Sequence, residues 1–172
     1  MDTFVEQIII KKKTALDYLI VIAVSLVTLA LVFFIITKFN IIFPLCVLIV
    51  WGAWWLITGR NMEFEYSITN GEMDIDCIIA RRRRKRLTSV TCSKVEAYGP
   101  LKPEKLVGRK FDRTIMAAPS MEAKGNYYFT YRSKKYGNTM VVFCPDERVQ
   151  TAFYNALPRL KQLELDRELK NQ

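Results

Sequence analysis

Residues 19–58 read LIVIAVSLVTLALVFFIIT (Leu19–Thr37), then Lys38-Phe39-Asn40, then IIFPLCVLIVWGAWWLIT (Ile41–Thr58). Neither apolar run contains a charge, and each is close to the ~20 residues that cross a ~30 Å hydrocarbon core at ~1.5 Å per residue. In lipid every backbone amide must bond within its own segment, so a span this apolar has to be helical. Pro44 is compatible because it falls in the first turn of the second run, where an amide hydrogen would lack an intrahelical partner. The stretch predicts a transmembrane helical hairpin over 19–58, in preference to a buried hairpin of a soluble protein. A cleaved signal peptide would carry an apolar region of ~7–15 residues ending in a small-residue cleavage site. The first run is longer and lacks that ending.

The flanks orient the hairpin. Lys11, Lys12 and Lys13 precede the first run, Arg60 and the run Arg81, Arg82, Arg83, Arg84, Lys85, Arg86 follow the second, and the connection carries only Lys38. The positive-inside rule then predicts a multi-pass protein of the cytoplasmic membrane with both termini cytoplasmic. Trp51, Trp54 and Trp55 mark the end of the second run as an interface, since indoles collect at headgroup level. Lys11, Lys12, Lys13, Trp54, Trp55 and Arg60 are therefore expected to be interface anchors. Ahead of them, Phe4, Val5, Ile8 and Ile9 share one helical face. Residues 1–18 are expected to form a cytoplasmic amphipathic lead, either lying in the headgroup plane or frayed.

The chain has 172 residues, 51% of them hydrophobic, and a formal net charge of +9. From Arg60 onward it carries 22 of the 26 Lys and Arg and 14 of the 17 Asp and Glu, enough chain for one modest domain that holds nearly all the excess charge. A basic domain tethered at the inner leaflet has an anionic partner in the lipid itself. There is no histidine, which removes Ser-His-Asp and Cys-His catalysis and His metal ligation. Cys46, Cys77, Cys92 and Cys144 are far apart and form no CxxC pair, so they are expected to be reduced packing residues. No cofactor, metal site or catalytic residue is expected, and the chain is not read as an enzyme.

After Arg60 the hydrophobic period changes to two. Phe64, Tyr66 and Ile68 alternate with Glu63, Glu65 and Ser67. Beyond Asn70-Gly71, Met73, Ile75, Cys77 and Ile79 alternate with Asp74 and Asp76. This is a β-hairpin with a two-residue primed turn. Pairing Thr69 with Glu72 puts the apolar set on one face and sets Glu65 opposite Asp76 on the other. Like charges directly opposed are unfavourable, so a nearby cation is expected, and the Arg81–Arg86 run is closest in sequence. A hairpin also returns its second strand to where the first began, which predicts that the basic run faces the lipid headgroups. The competing role for these arginines is to fix topology or to neutralise Glu65 and Asp76.

Further along, Leu87–Tyr98 suggests one or two strands, Gly99-Pro100 a break, Pro103–Val107 a helical turn, and Arg113–Ala118 another strand. Tyr127–Arg132 and Thr139–Phe143 form a second hairpin. Pro145, Asp146 and Glu147 start a helix whose stripe is Val149, Ala152, Phe153, Ala156, Leu157 and Leu160, with Pro158 ending or kinking it. Residues 159–172 read as a charged, loosely held helical tail.

Two strand hairpins, a basic run after the first, and one amphipathic C-terminal helix, all following a two-helix anchor, resemble the bacterial PH-like domain proteins of the cytoplasmic membrane. The residues carrying the resemblance are Phe64–Ile79, Arg81–Arg86, Tyr127–Phe143 and Pro145–Leu157. It implies an α+β membrane protein in which 60–158 is a strongly bent antiparallel sheet or barrel capped by the final helix. It also implies binding or scaffolding without chemistry. The basic cluster follows the second strand instead of occupying the first hairpin turn, unlike eukaryotic phosphoinositide-binding PH domains. The expected function is a membrane-anchored module that binds the anionic inner-leaflet surface or a protein partner. Such a module would run as a monomer or small homo-oligomer. The alternative is an accessory or scaffold subunit of a larger membrane complex assembled through the helical hairpin, for which Ala23, Ser25, Ala30, Gly52 and Ala53 could permit close helix approach, although they serve equally well to pack the hairpin on itself. Nucleic acid is the remaining candidate partner: Tyr127, Tyr128, Phe129 and Tyr131 could stack bases, but such a strand is more often half core and half surface.

Overall fold

The computed structural model describes residues 4–38, 43–102 and 108–170. The elements, in chain order, are β1 (Phe4–Ile10), α1 (Ala15–Lys38), α2 (Phe43–Thr58), β2 (Met62–Thr69), β3 (Glu72–Ile79), β4 (Arg83–Thr91), β5 (Val95–Pro100), β6 (Arg113–Met116), β7 (Tyr127–Ser133), β8 (Gly137–Phe143), α3 (Glu147–Ala156) and α4 (Arg159–Lys170). They form two units. One gathers Lys12–Met62 with Ile79–Arg83, and the other gathers the remaining described residues.

In the helical unit, α1 spans 24 residues and is the one described helix long and apolar enough to cross a membrane. At ~1.5 Å per residue it is about 36 Å long. The expected second span is shorter than its apolar run, since α2 has 16 residues, or about 24 Å. Residues 39–42 lie outside the described residues. Thr14 and Asp17 cap α1 reciprocally: Thr14 N and Oγ1 both donate to Asp17 Oδ2 at 2.9 Å, while Asp17 N donates to Thr14 Oγ1 at 3.4 Å. Arg60, just past α2, pairs with the same carboxylate, so the start of α1 and the end of α2 are held together. The Ser and Thr hydroxyls of both helices (Ser25, Thr28, Thr37, Thr58) bond back to carbonyls of their own helix at 2.7–3.0 Å. That leaves no side-chain hydroxyl of these residues requiring water.

The second unit contains two four-stranded sheets, ordered β1-β2-β3-β4 and β5-β7-β8-β6. The Asn70-Gly71 turn has the expected left-handed pair, φ 50° and 80°. Every core residue expected from the first hairpin is buried: Phe64, Tyr66, Ile68, Met73, Ile75 and Cys77. β7 and β8 pair from Tyr127↔Phe143 to Ser133↔Gly137, and β6 runs parallel to β8. A Cβ on Gly137 (φ 70°) would collide with the Asp112 carboxylate, which accepts from Asn138 N at 2.8 Å. The rings of Tyr98, Phe129 and Phe143 lie 4.9, 5.4 and 5.8 Å from that of Phe153, so α3 buries its stripe in an aromatic core.

Several expectations need correction. The helical lead is instead strand β1, antiparallel to β2 from Phe4↔Thr69 to Ile10↔Glu63. Its apolar residues do not alternate with polar ones, and pairing with the open edge of β2 overrides the helical spacing of Phe4, Val5, Ile8 and Ile9. Gly99-Pro100 does not break the chain but ends β5, opposite Tyr128 and Tyr127. Pro145 lies outside α3, whose N-cap is Asp146, accepting from Val149 N at 2.8 Å. The tail is docked: Leu165 is buried against Gly99, and Tyr154 Oη donates to Asp166 at 2.9 Å. The helical turn expected at Pro103–Val107 lies outside the described residues.

Candidate membrane-surface site

The basic run is divided by the fold. Its first part is a turn: Arg82 N donates to Ile79 O at 3.0 Å, and Ala80 and Arg81 take left-handed φ values of 53° and 56°. Left-handed backbone costs a non-glycine residue roughly 1–2 kcal/mol. Here it is held from outside, because Ala80 N donates to Asn61 O at 2.7 Å. Arg82 then reaches the end of α2, where its Nη2 donates to Thr58 Oγ1 at 2.7 Å and its guanidinium lies 4.8 Å from the Trp54 ring centre.

Beside that contact is a cavity of about 280 Å³. Trp55, Leu56, Gly59, Ile79 and Ala80 supply apolar surface, and Arg60, Arg82 and Arg83 supply charge. Trp54 and Trp55 are both exposed. An amphipathic cavity of this kind can take an acyl segment on its apolar wall while its guanidinium groups bond a phosphate.

The second part of the run does something else. Arg84 pairs with Glu65 and with Asp76, the latter at 3.5 Å, while Arg86 meets Asp74 at 2.8 Å and both oxygens of Asp76 at 2.9 and 3.3 Å. Glu65 and Asp76 are 8% and 4% exposed, so these carboxylates need the cations they face. The aspartates in turn raise the Arg86 guanidinium further above its ordinary range, chiefly through the hydrogen bonds that it donates to Asp76. The cation expected from the Glu65–Asp76 opposition is therefore present, supplied by Arg84 and Arg86. Lys85, Lys12 and Lys13 are exposed, and Lys11 is partly so.

The sequence did not single out Thr58, Asn61, Asp17 or the Ala80-Arg81 turn. Their roles depend on contacts between distant segments, and only the Arg run beside an apolar helix end signalled the place. Thiol chemistry is disfavoured by the same packing: burial pushes the Cys92 thiol up to about 11 and raises those of Cys77 and Cys144.

A protein family described as "Bacterial PH-like domain (DUF6106)" matches residues 1–161. The chain belongs to that family. Its match includes β1 and both apolar helices as well as the two sheets and α3, so the PH-like family assignment covers helical and sheet units together. No curated protein and no solved structure matches the chain.

Proposed function

We propose that this PH-like protein is a non-enzymatic module anchored in the cytoplasmic membrane by α1 and α2, binding anionic lipid headgroups at the inner leaflet. The observation that carries the reading is Arg82 seated on Thr58 and Trp54, with Arg60 and Arg83 around the same apolar cavity. It fixes cations at the end of an apolar helix, where each is worth about 1 kcal/mol near an anionic surface. The anchor is supported by chain topology. β1 precedes α1 and β2 follows α2, yet they are adjacent strands, so a chain that crosses the bilayer through α1 must return through α2. Reporter fusions at Met1 and Gln172 should both give cytoplasmic signals.

The lipid test uses the full chain in detergent micelles carrying phosphatidylglycerol or phosphatidylcholine, with retained lipid counted by native mass spectrometry. Phosphatidylglycerol should be retained preferentially and lost with salt. Arg82→Gln with Arg83→Gln should weaken retention about tenfold, taking ~1.4 kcal/mol per decade; equal retention by both proteins would refute the site. A second reading, assembly through the helices, is favoured by the crease between α1 and α2, about 430 Å³, lined by Ala23, Gly52 and Ala53. A Cβ on Gly52 would meet nothing within 4 Å, so the hairpin itself does not require this glycine.

A further inference from the structure

A separate cavity of about 390 Å³ lies in the sheet unit, between β4 and the β7–β8 turn. Thr88 of β4 and Tyr131 of β7 form its floor contact, their hydroxyls 2.7 Å apart. Lys94, Arg113, Arg132 and Lys134 line it, against a single carboxylate, Glu72, which is engaged by Ser89 at 3.4 Å. Among the described residues, none of these four cations is ion-paired with a carboxylate. Arg113 instead lies over the Tyr136 ring, 4.1 Å from its centre, with Lys135 at 5.1 Å from the same ring. The positive field is visible on that phenol, which Lys135 first and Arg113 next hold below the usual tyrosine range.

Arg84 and Arg86 are held differently. Those two arginines are paired with aspartate and glutamate; here four cations from three segments, Lys94 after β4, Arg113 of β6, and Arg132 and Lys134 of the β7–β8 hairpin, line one concavity without an ion pair among the described residues. Like charges held within a Debye length of ~8–10 Å repel, so the arrangement favours an anion. A phosphate monoester fits it: it carries about −1.5 to −2 at neutral pH, accepts forked Arg bonds, and suits the ~300–1,000 Å³ range of small-ligand cavities. We infer that this cavity binds a phosphate monoester, presented either by a small soluble ester or by a lipid headgroup. The site shares no residue with the Arg82 cavity and does not rest on the lipid reading above.

The test is calorimetric titration of the full chain in neutral detergent. One arm uses sn-glycerol 3-phosphate as the soluble ester, and the other uses micelles doped with phosphatidic acid. Saturable binding is expected in at least one arm, weakened at least tenfold by Arg113→Gln with Arg132→Gln, and also by Lys134→Gln, whose exposed turn position spares the fold. Lys124→Gln, an exposed lysine elsewhere, should change nothing. Binding in the soluble arm assigns the bare phosphate ester, and binding only to phosphatidic acid assigns the lipid. The inference is overturned by no saturable binding in either arm or by equal weakening with Lys124→Gln. It also fails if phosphatidic acid binding is lost with Arg82→Gln and Arg83→Gln but survives the Arg113 and Arg132 changes.

Discussion

The two sheets close their outer faces by opposite means. Sheet β1-β2-β3-β4 turns Tyr66, Ile68, Met73 and Ile75 to the core and carries Glu65, Asp74 and Asp76 on the other face, covered by Arg84 and Arg86. Sheet β5-β7-β8-β6 is apolar on both faces. Phe129, Val141 and Phe143 point to the core, while Tyr128, Met140 and Val142 form a second cluster under Leu101, Phe111 and Met116. One face is thus closed by ion pairs that still touch water and the other by the protein's own side chains. A closure of the first kind contributes modestly, because its guanidinium groups are half exposed and screened by water even though Glu65 and Asp76 are buried. A closure of the second kind contributes transfer energy in proportion to its area.

Substitutions can rank these layers, with thermal unfolding of the full chain in detergent as the measurement. The largest loss is expected from Phe153→Ala, since Phe153 is fully buried in the core that both sheets share. It should cost about 3–5 kcal/mol, and an unchanged melt would mean that α3 is not the plug of that core. Next comes Leu165→Ala, which removes the side chain of α4 seated on β5. About 2 kcal/mol is expected, at the low end for a buried leucine because a terminal helix can relax. Arg86→Ala should cost less, roughly 1 kcal/mol, because the guanidinium is half exposed and Arg84 remains beside Asp76. If Arg86→Ala proved costlier than Leu165→Ala, the contrast between the two closures would be reversed.

The smallest effect probes the core itself. Among the described residues nothing bonds the buried Tyr98 hydroxyl, so Tyr98→Phe should be neutral or slightly stabilising at pH 7. Burial raises the phenols of Tyr66 and Tyr98 above their ordinary value near 10. The unfolded chain therefore loses these protons first. The raised thiols of Cys77, Cys92 and Cys144 begin the loss of stability near pH ~9, the phenols add to it above pH ~10, and this second part of the fall should be shallower in Tyr98→Phe.

The same contrast explains what could be read from the residues. Strict alternation around Asn70-Gly71 gave the first hairpin, its turn and its core, and the Glu65–Asp76 opposition demanded the cations that Arg84 and Arg86 supply. Alternation carries little information where both faces are covered, so β5 and β6, and the parallel pairing of β6 with β8, were only partly legible. β1 was misread because its partner lies beyond two helices. The Arg82 contact depends on a turn with two left-handed non-glycine residues, a conformation for which Ala80-Arg81 offers no local signal. The four cations around Thr88 and Tyr131 come from three segments far apart in sequence, and nothing in their spacing announces them.

β1 has a consequence for how the protein is made. Gln7 accepts from Asp146 N at 2.8 Å and donates to Cys144 O at 3.2 Å, beside the start of α3. This strand therefore contacts both β2, which emerges only after the two apolar helices, and the loop that precedes the last helical segments. Until β2 has been made it has no strand partner, and Val5, Ile8, Ile9 and Ile10 stay uncovered through the synthesis of both helices. Pairing of this edge therefore follows synthesis of both helices, and the two Gln7 bonds form later still, once the Cys144–Asp146 segment has been made.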